Sequence, residues 1–119
     1  MPIIDPNKLQ NMTAGDSDLV ADLAIMFVQR LPELKARIRI GIESGDHSEV
    51  ESGAHQLKSR VSYFGATSLH EQSGHLENAA RVGDREKLAV IHDQLFADID
   101  ILIQELRTLT NLALEMDND

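Results

Sequence analysis

The histidine at position 55 lies in the stretch AHQLKSRVSYFGA, residues 54–66, whose helical pattern of apolar residues does not include it. On a wheel of about 100° per residue, the apolar side chains lie within roughly 40° of Val50 and are Ala54, Leu57, Val61 and Phe64. His55 lies roughly 140° away, on the side of the helix that faces solvent. Free imidazole has a pKa of about 6.5, so a solvent-facing histidine is largely neutral and nucleophilic near neutral pH. The sequence therefore predicts an exposed nucleophile at position 55.

Small polar side chains dominate the side of the predicted helix that carries His55. They are Ser48, Glu51, Ser52, Ser59 and Ser62. Serine stabilises helices less than Lys, Glu or Gln, so helix propensity does not explain this set, and small side chains leave room for a partner. Lys58 follows three residues after His55 and can place its ammonium group beside the ring. Spacing alone leaves a second interpretation open, because most exposed histidines are ordinary surface residues.

The motifs of a nucleotide site and of a metal site are both missing from the sequence. It contains neither a glycine-rich phosphate loop nor GxxxxGK[ST], so we expect no autonomous kinase activity. A di-metal bundle needs Glu-x-x-His pairs, and none of the five histidines has Glu three residues before it. The absence of cysteine excludes disulfides and thiolate ligands. We therefore predict no metal and no cofactor of the chain's own.

Composition places the chain among small globular proteins. Its 119 residues suffice for one domain, 1–119, and its formal charge of −9 disfavours nucleic acid and anionic lipid as partners. No apolar run approaches the roughly 20 residues of a membrane span, and the first ten residues lack the features of a signal peptide. The expectation is a cytoplasmic protein.

Helix start and stop signals divide the chain into a short N-terminal helix and four longer segments. The first long segment begins after Asp16 or Ser17, the second is preceded by Asp46 with Glu49 as a reciprocal cap, and Ser68 with Glu71 suggests another capping box. The last segment, preceded by Asp84, carries an apolar stripe that reaches about Leu114. Short connections between amphipathic helices predict an all-α, antiparallel up-and-down four-helix bundle. We expect a monomer, with coiled-coil dimerisation through the last stripe as the alternative.

The sequence around His55 resembles the histidine-containing phosphotransfer (Hpt) family. The resemblance rests on His55, Leu57, Lys58, Ser62, Phe64, Gly65 and Ala66, and continues through Leu69, Leu76, Glu77, Arg81 and the Gly-Asp pair at 83–84. It covers roughly residues 17–88. Two residues depart from the family pattern: Ser59 replaces the usual glycine, and Arg60 replaces a small residue. Arg60 lies about 280° round the wheel, so we expect it to point away from His55 and towards a neighbouring helix.

The resemblance implies a carrier that takes a phosphoryl group on Nε2 of His55 from one receiver-domain aspartate and passes it to another. Lys58 would support the phosphoryl group, and the receiver would supply magnesium. The expected partners are response-regulator receiver domains and a hybrid sensor kinase. Docking is predicted on the face formed by Ser48, Glu51, Ser52, Ser59, Ser62 and Gly65, with part of the fourth segment, where Gly74 could widen the approach. The alternative is an interaction module that binds a receiver or kinase without carrying phosphate.

Overall fold

Five α-helices account for most of residues 2–110, the part of the chain that the computed structural model describes. They are α1 (Pro6–Thr13), α2 (Ser17–Ser44), α3 (His47–Ser62), α4 (Thr67–Val82) and α5 (Arg85–Thr110). α3 packs between α2 and α4, and α5 contacts both α4 and α2, which closes the ring of four. The predicted four-helix bundle with a short N-terminal helix is confirmed. The predicted continuation of the last helix to Leu114 lies outside the described residues.

Side-chain caps fix three of the helix starts that the sequence predicted. The Asp16 carboxylate accepts hydrogen bonds from the backbone N–H groups of Asp18 and Leu19, and Asp46 accepts one from Glu49. Asp84 accepts the backbone N–H of Lys87 in the first turn of α5. Each cap satisfies backbone donors that have no partner inside the helix.

Two details of the predicted capping were wrong. Glu49 does not return a hydrogen bond to Asp46, because its carboxylate pairs with Arg37 on α2 instead. The predicted Ser68 cap is also wrong, since α4 begins at Thr67 after Ala66 and has no side-chain cap. At Glu49, an ion pair with another helix replaces the predicted local hydrogen bond. At Ser68, the helix has already begun before the residue that the pattern assigned as its cap.

The apolar faces of the four long helices meet in one continuous core. The stripe predicted for α3 is buried as expected, with Val50, Ala54, Leu57 and Val61 fully inaccessible. Burying a side chain the size of Leu57 contributes about 1.5–3 kcal/mol, so rotating α3 away from this orientation would be costly. Core packing therefore fixes the outward direction of the opposite side of α3, which carries His55.

Hydrogen bonds from the backbone N–H groups of the N-terminal segment hold this segment against the bundle. The Glu105 carboxylate on α5 accepts the N–H groups of Ile3 and Ile4, and the Gly65 carbonyl accepts that of Asp5. Gly65 has φ +66°, and a Cβ there would lie 2.8 Å from Cβ of Lys8. Close approach of α1 and a left-handed backbone thus explain this glycine without a partner.

No helix within residues 2–110 combines the length and apolar character needed to cross a membrane.

Candidate functional site

His55 projects from α3 with 62% of its side chain exposed. Its Nδ1 lies 3.0 Å from Oε2 of Glu77 on α4. An ionised carboxylate can only accept a hydrogen bond, so Nδ1 carries the proton and donates it. Nε2 then holds the free lone pair, and no group within residues 2–110 bonds to it. The ring therefore offers an oriented nucleophilic nitrogen to solvent.

Glu77 is hydrogen-bonded to both His55 and Lys58. Its side chain is 11% exposed, and its second oxygen accepts a hydrogen bond from Nζ of Lys58 at 2.9 Å. The Lys58 hydrogen bond is the main reason that the pKa of Glu77 lies below its usual value; the His55 contact acts in the same direction, and burial opposes both. Glu77 is therefore a carboxylate held in its charged form between an imidazole and an ammonium group.

Helical spacing on two neighbouring elements assembles this group. His55 and Lys58 lie three residues apart on α3, and Glu77 and Arg81 lie four apart on α4, so each pair shares a helix face. The guanidinium of Arg81 lies 3.8 Å from Oε2 of Glu77 and donates from Nε to Glu51 at 3.0 Å. The α3–α4 contact thus places two cations and the carboxylate on one side of the imidazole.

Most of the residues predicted to dock a partner take part in contacts within the chain. Ser48 donates to Asp46, Ser52 accepts from Arg37, Ser62 donates to the backbone carbonyl of Ser59, Glu51 pairs with Arg81, and Gly65 is buried beside α1. Ser59 is exposed and borders the same groove as His55. Contact of any of these residues with a partner remains a prediction.

A groove of about 340 Å³ runs between α2 and α3 beside His55. Its α2 wall carries Leu23, Met26, Phe27 and Arg30, and its α3 wall carries His55, Gln56, Ser59, Arg60, Tyr63 and Phe64. The sequence prediction extended the site towards the fourth segment and did not include α2. The wheel gave the direction of Arg60, towards a neighbouring helix, but not the space between the two helices.

Glu77 is the functional residue that sequence reasoning did not assign to the site, although it belonged to the family resemblance. Its position carried a signal, since it lies four residues after Ser73 and three before Ala80, both of which are buried. A carboxylate on such a buried stripe needs partners, because burial of an unpaired charge is costly. Its partners come from α3, so only the packing of the two helices identifies them.

A comparison with known protein families identifies the family to which this chain belongs. The profile of the Hpt domain matches residues 22–114, more than three quarters of the chain. The matched range includes His55, Lys58, Glu77 and Arg81. The chain belongs to the Hpt domain family. Such domains are phosphotransfer carriers rather than kinases, act in phosphorelays, and interact with receiver domains and kinases. Comparisons with curated proteins and with solved structures found no match.

The described part of this Hpt domain contains no group of three or more His, Asp or Glu side chains arranged to hold a metal ion. Around His55 the side chains pair with one another instead, carboxylate with cation.

The lowered pKa of Glu77 predicts a specific loss of stability in acid. A carboxyl group with a depressed pKa stabilises the fold fully above the unfolded pKa, and this contribution disappears as the pH falls through the folded pKa. We expect the wild-type protein to lose more unfolding free energy than Glu77→Gln between about pH 7 and about pH 3.5, as measured by urea unfolding. Equal losses would show that the charge of Glu77 does not stabilise the fold.

Gly74 lies within α4 beside the aliphatic part of Lys58. A Cβ at this position would make ordinary contact with Cδ of Lys58 at 3.8 Å, so Gly74→Ala is expected to stabilise the Hpt domain by about 1 kcal/mol through helix propensity. Gly53→Ala is the matched control, because its Cβ would lie 2.7 Å from Ile38 in the core and should destabilise the protein. Denaturant midpoints of the two variants measure both effects; a destabilised Gly74→Ala would contradict the prediction.

Proposed function

We propose that this Hpt domain accepts a phosphoryl group on Nε2 of His55 from the aspartyl phosphate of a receiver domain and delivers it to the aspartate of a second receiver. The observation that carries the proposal is the 3.0 Å hydrogen bond between Nδ1 of His55 and Glu77. It leaves the lone pair on the outer nitrogen of a ring that is mostly exposed. The docking partner can therefore approach the reacting atom from solvent.

The transfer is a direct displacement at phosphorus. The Nε2 lone pair forms the new P–N bond, the P–O bond of the aspartyl phosphate breaks, and the aspartate carboxylate leaves with the electron pair. The proton on Nδ1 stays within its hydrogen bond to Glu77, whose charge balances the positive charge that develops on the ring. Delivery to the second receiver reverses these bond changes.

Lys58 supports the phosphoryl group in this proposal. Glu77 holds its ammonium group at 2.9 Å, on the side of the bundle that carries the ring, and the lysine side chain is 28% exposed. A cation in this position can stabilise the charge on the equatorial oxygens during transfer. Magnesium would be held by carboxylates of the receiver and supplies further charge neutralisation when bound there. The first donor in the relay would be the receiver of a hybrid sensor kinase.

The test is transfer of radiolabelled phosphate from a purified, phosphorylated receiver domain of the same cell to the intact chain. We expect label on the Hpt domain within the lifetime of the aspartyl phosphate, and mass spectrometry should place it on the peptide that contains His55. The label should survive alkali and be lost in acid, as expected for a phosphorylated imidazole. A second, unphosphorylated receiver should then remove it.

Two results would overturn the proposal. Label on another residue would assign the chemistry elsewhere. Tight binding to phosphorylated receivers without any transfer of label would instead support the alternative, an interaction module that carries no phosphate.

A further inference from the structure

The exposed side of α5 carries a stripe of uncharged residues. Its members follow one another at alternating intervals of four and three residues and are Val90, Gln94, Ala97, Ile101, Gln104 and Thr108. All six are exposed, Val90 to 70% and Ile101 to 43%. At 1.5 Å per residue the stripe is about 27 Å long. Because this spacing lets one helix pack along another, the stripe has the form of a seam for a second helix.

This stripe is separate from the face of α5 that fills the core. The core face consists of buried leucine and isoleucine side chains and is formed by Leu88, Leu95, Ile99, Leu102 and Leu106. Packing of the bundle therefore does not require the exposed positions to be uncharged, in a chain of which 26% is charged. The composition of the stripe points to a contact outside the bundle.

Carboxylates border the stripe on both sides. On a wheel of about 100° per residue, Asp93 and Asp100 lie along one edge, and Asp98 and Glu105 lie along the other. None of these four carboxylates forms an ion pair with a lysine or arginine within residues 2–110. Asp98 accepts hydrogen bonds from two glutamine amides and Glu105 from two backbone N–H groups. These donors are neutral, so they do not cancel the negative charge of the borders.

One end of the stripe continues into a cleft of about 850 Å³ between α1, the start of α2 and α5. The last three residues of the stripe also line this cleft. Its apolar lining includes Ile4, Leu9 and Val20, which the bundle leaves less than 10% exposed. The charged residues that line it, Asp18 and Glu105, are both acidic. The cleft thus extends the stripe with the same chemistry, an apolar contact area with negative charge beside it.

We propose that the stripe and the cleft together form a docking surface for an amphipathic helix of another protein, one whose apolar seam is flanked by lysine or arginine. The spacing of the stripe fits a helix, and its acidic borders complement basic flanks. A second copy of this chain fits poorly, because α5 paired with itself in either direction would bring acidic borders together.

This surface is independent of the phosphotransfer site. It takes no residue from α3 or α4, which carry His55, Lys58 and Glu77. α3 also packs against α2 and α4, whereas α5 closes the ring opposite it. A helix bound to α5 can therefore hold the domain while His55 stays accessible, and the inference does not depend on the proposed function.

The binding test titrates the full ¹⁵N-labelled chain with a synthetic helical peptide of three heptads. The peptide carries Leu at both seam positions, Lys at the two flanking positions and Gln elsewhere. We expect saturable shifts of amide signals from the stripe and the cleft, with the signals of His55 and Lys58 unchanged. A peptide with Glu in place of Lys should bind at least about tenfold more weakly. Shifts centred on another face, equal affinity for both peptides, or no binding would overturn the proposal.

Charge variants locate the basic contact. Asp93→Lys combined with Asp100→Lys is expected to raise the Kd of the lysine peptide about tenfold at low ionic strength, and less at high ionic strength. Glu33→Lys combined with Glu43→Lys makes the same charge change outside α5 and the cleft, and should stay within about twofold of the wild type. Equal effects of the two pairs would show that the peptide responds only to net charge, which would contradict the assignment.

Ile101→Ser tests the apolar seam, with Ile40→Ser as the matched control. Ile40 is 55% exposed on α2 and does not line the cleft. We expect the Kd of the peptide to rise about fivefold for Ile101→Ser and to stay unchanged for Ile40→Ser. Urea unfolding checks that both variants fold. Unchanged affinity of a folded Ile101→Ser variant would remove the seam from the contact.

Two other occupants of the surface would be detected by further measurements on the same protein. Sedimentation of the wild type as a dimer that Ile101→Ser dissociates would assign the surface to a second copy. A nitroxide on Met116→Cys that broadens the amide signal of Ile101 without peptide would assign it to the chain's own C-terminal segment. Either result would overturn the proposal, which predicts a monomer and an unbroadened signal.

Discussion

His55→Gln is expected to bind a phosphorylated receiver with the affinity of the wild type and to take no label from it. Glutamine has similar length and can still bond to Glu77 through its amide, so the surface around the site should persist. It has no nucleophilic nitrogen, because an amide lone pair is delocalised into the carbonyl group. Autoradiography of the separated proteins measures transfer, and titration calorimetry measures binding.

His75→Gln is the matched control for this variant. His75 is an exposed histidine on α4, outside the groove and the Glu77 cluster, so the same substitution there should leave transfer unchanged. Residual labelling of His55→Gln at the wild-type rate would remove His55 from the mechanism. Loss of binding in this variant would show instead that the imidazole is a docking residue.

Glu77→Gln is expected to lower the rate of phosphoryl acceptance by on the order of tenfold or more, through the protonation pattern of His55. Lys58 can only donate, so the amide oxygen of the new side chain should face it and the amide NH₂ should face the imidazole. Nδ1 must then accept, which moves the ring proton to Nε2. The outer nitrogen of the neutral ring thereby loses the lone pair that attacks phosphorus.

Nitrogen NMR distinguishes this mechanism from a simple loss of structure. The wild-type spectrum should show a neutral His55 ring protonated on Nδ1, and Glu77→Gln should show the proton on Nε2. Glu71→Gln, which removes an exposed carboxylate from the same helix, should alter neither the spectrum nor the rate. A slow Glu77→Gln variant with the wild-type tautomer would leave electrostatic balance as the only role of the carboxylate. A variant that reacts at the wild-type rate would contradict both roles.

Local sequence determined the helices and the orientation of the reactive residue. The apolar spacing of Val50, Leu57 and Val61 requires one side of α3 to be buried, and His55 must then face outward whatever the neighbours of the helix are. The caps at Asp16, Asp46 and Asp84 act within one turn, so their side chains could be matched to helix starts directly from the sequence. The nucleophile and its local cation, Lys58, follow from spacing on a single helix.

Only the tertiary structure decided what surrounds that nucleophile. Glu77 is 22 residues from His55, and its contact depends on how α3 and α4 pack, which a wheel for one helix does not contain. The groove exists only because α2 lies beside α3. No local sequence pattern therefore indicated that Arg30 and Arg60 line the same groove. Gly65 belonged to the family motif, but its close contact with α1 depends on the fold, which brings the end of α3 back beside the N-terminal helix. Helix periodicity fixes which way each side chain points, whereas contacts between distant residues depend on the packing of whole helices.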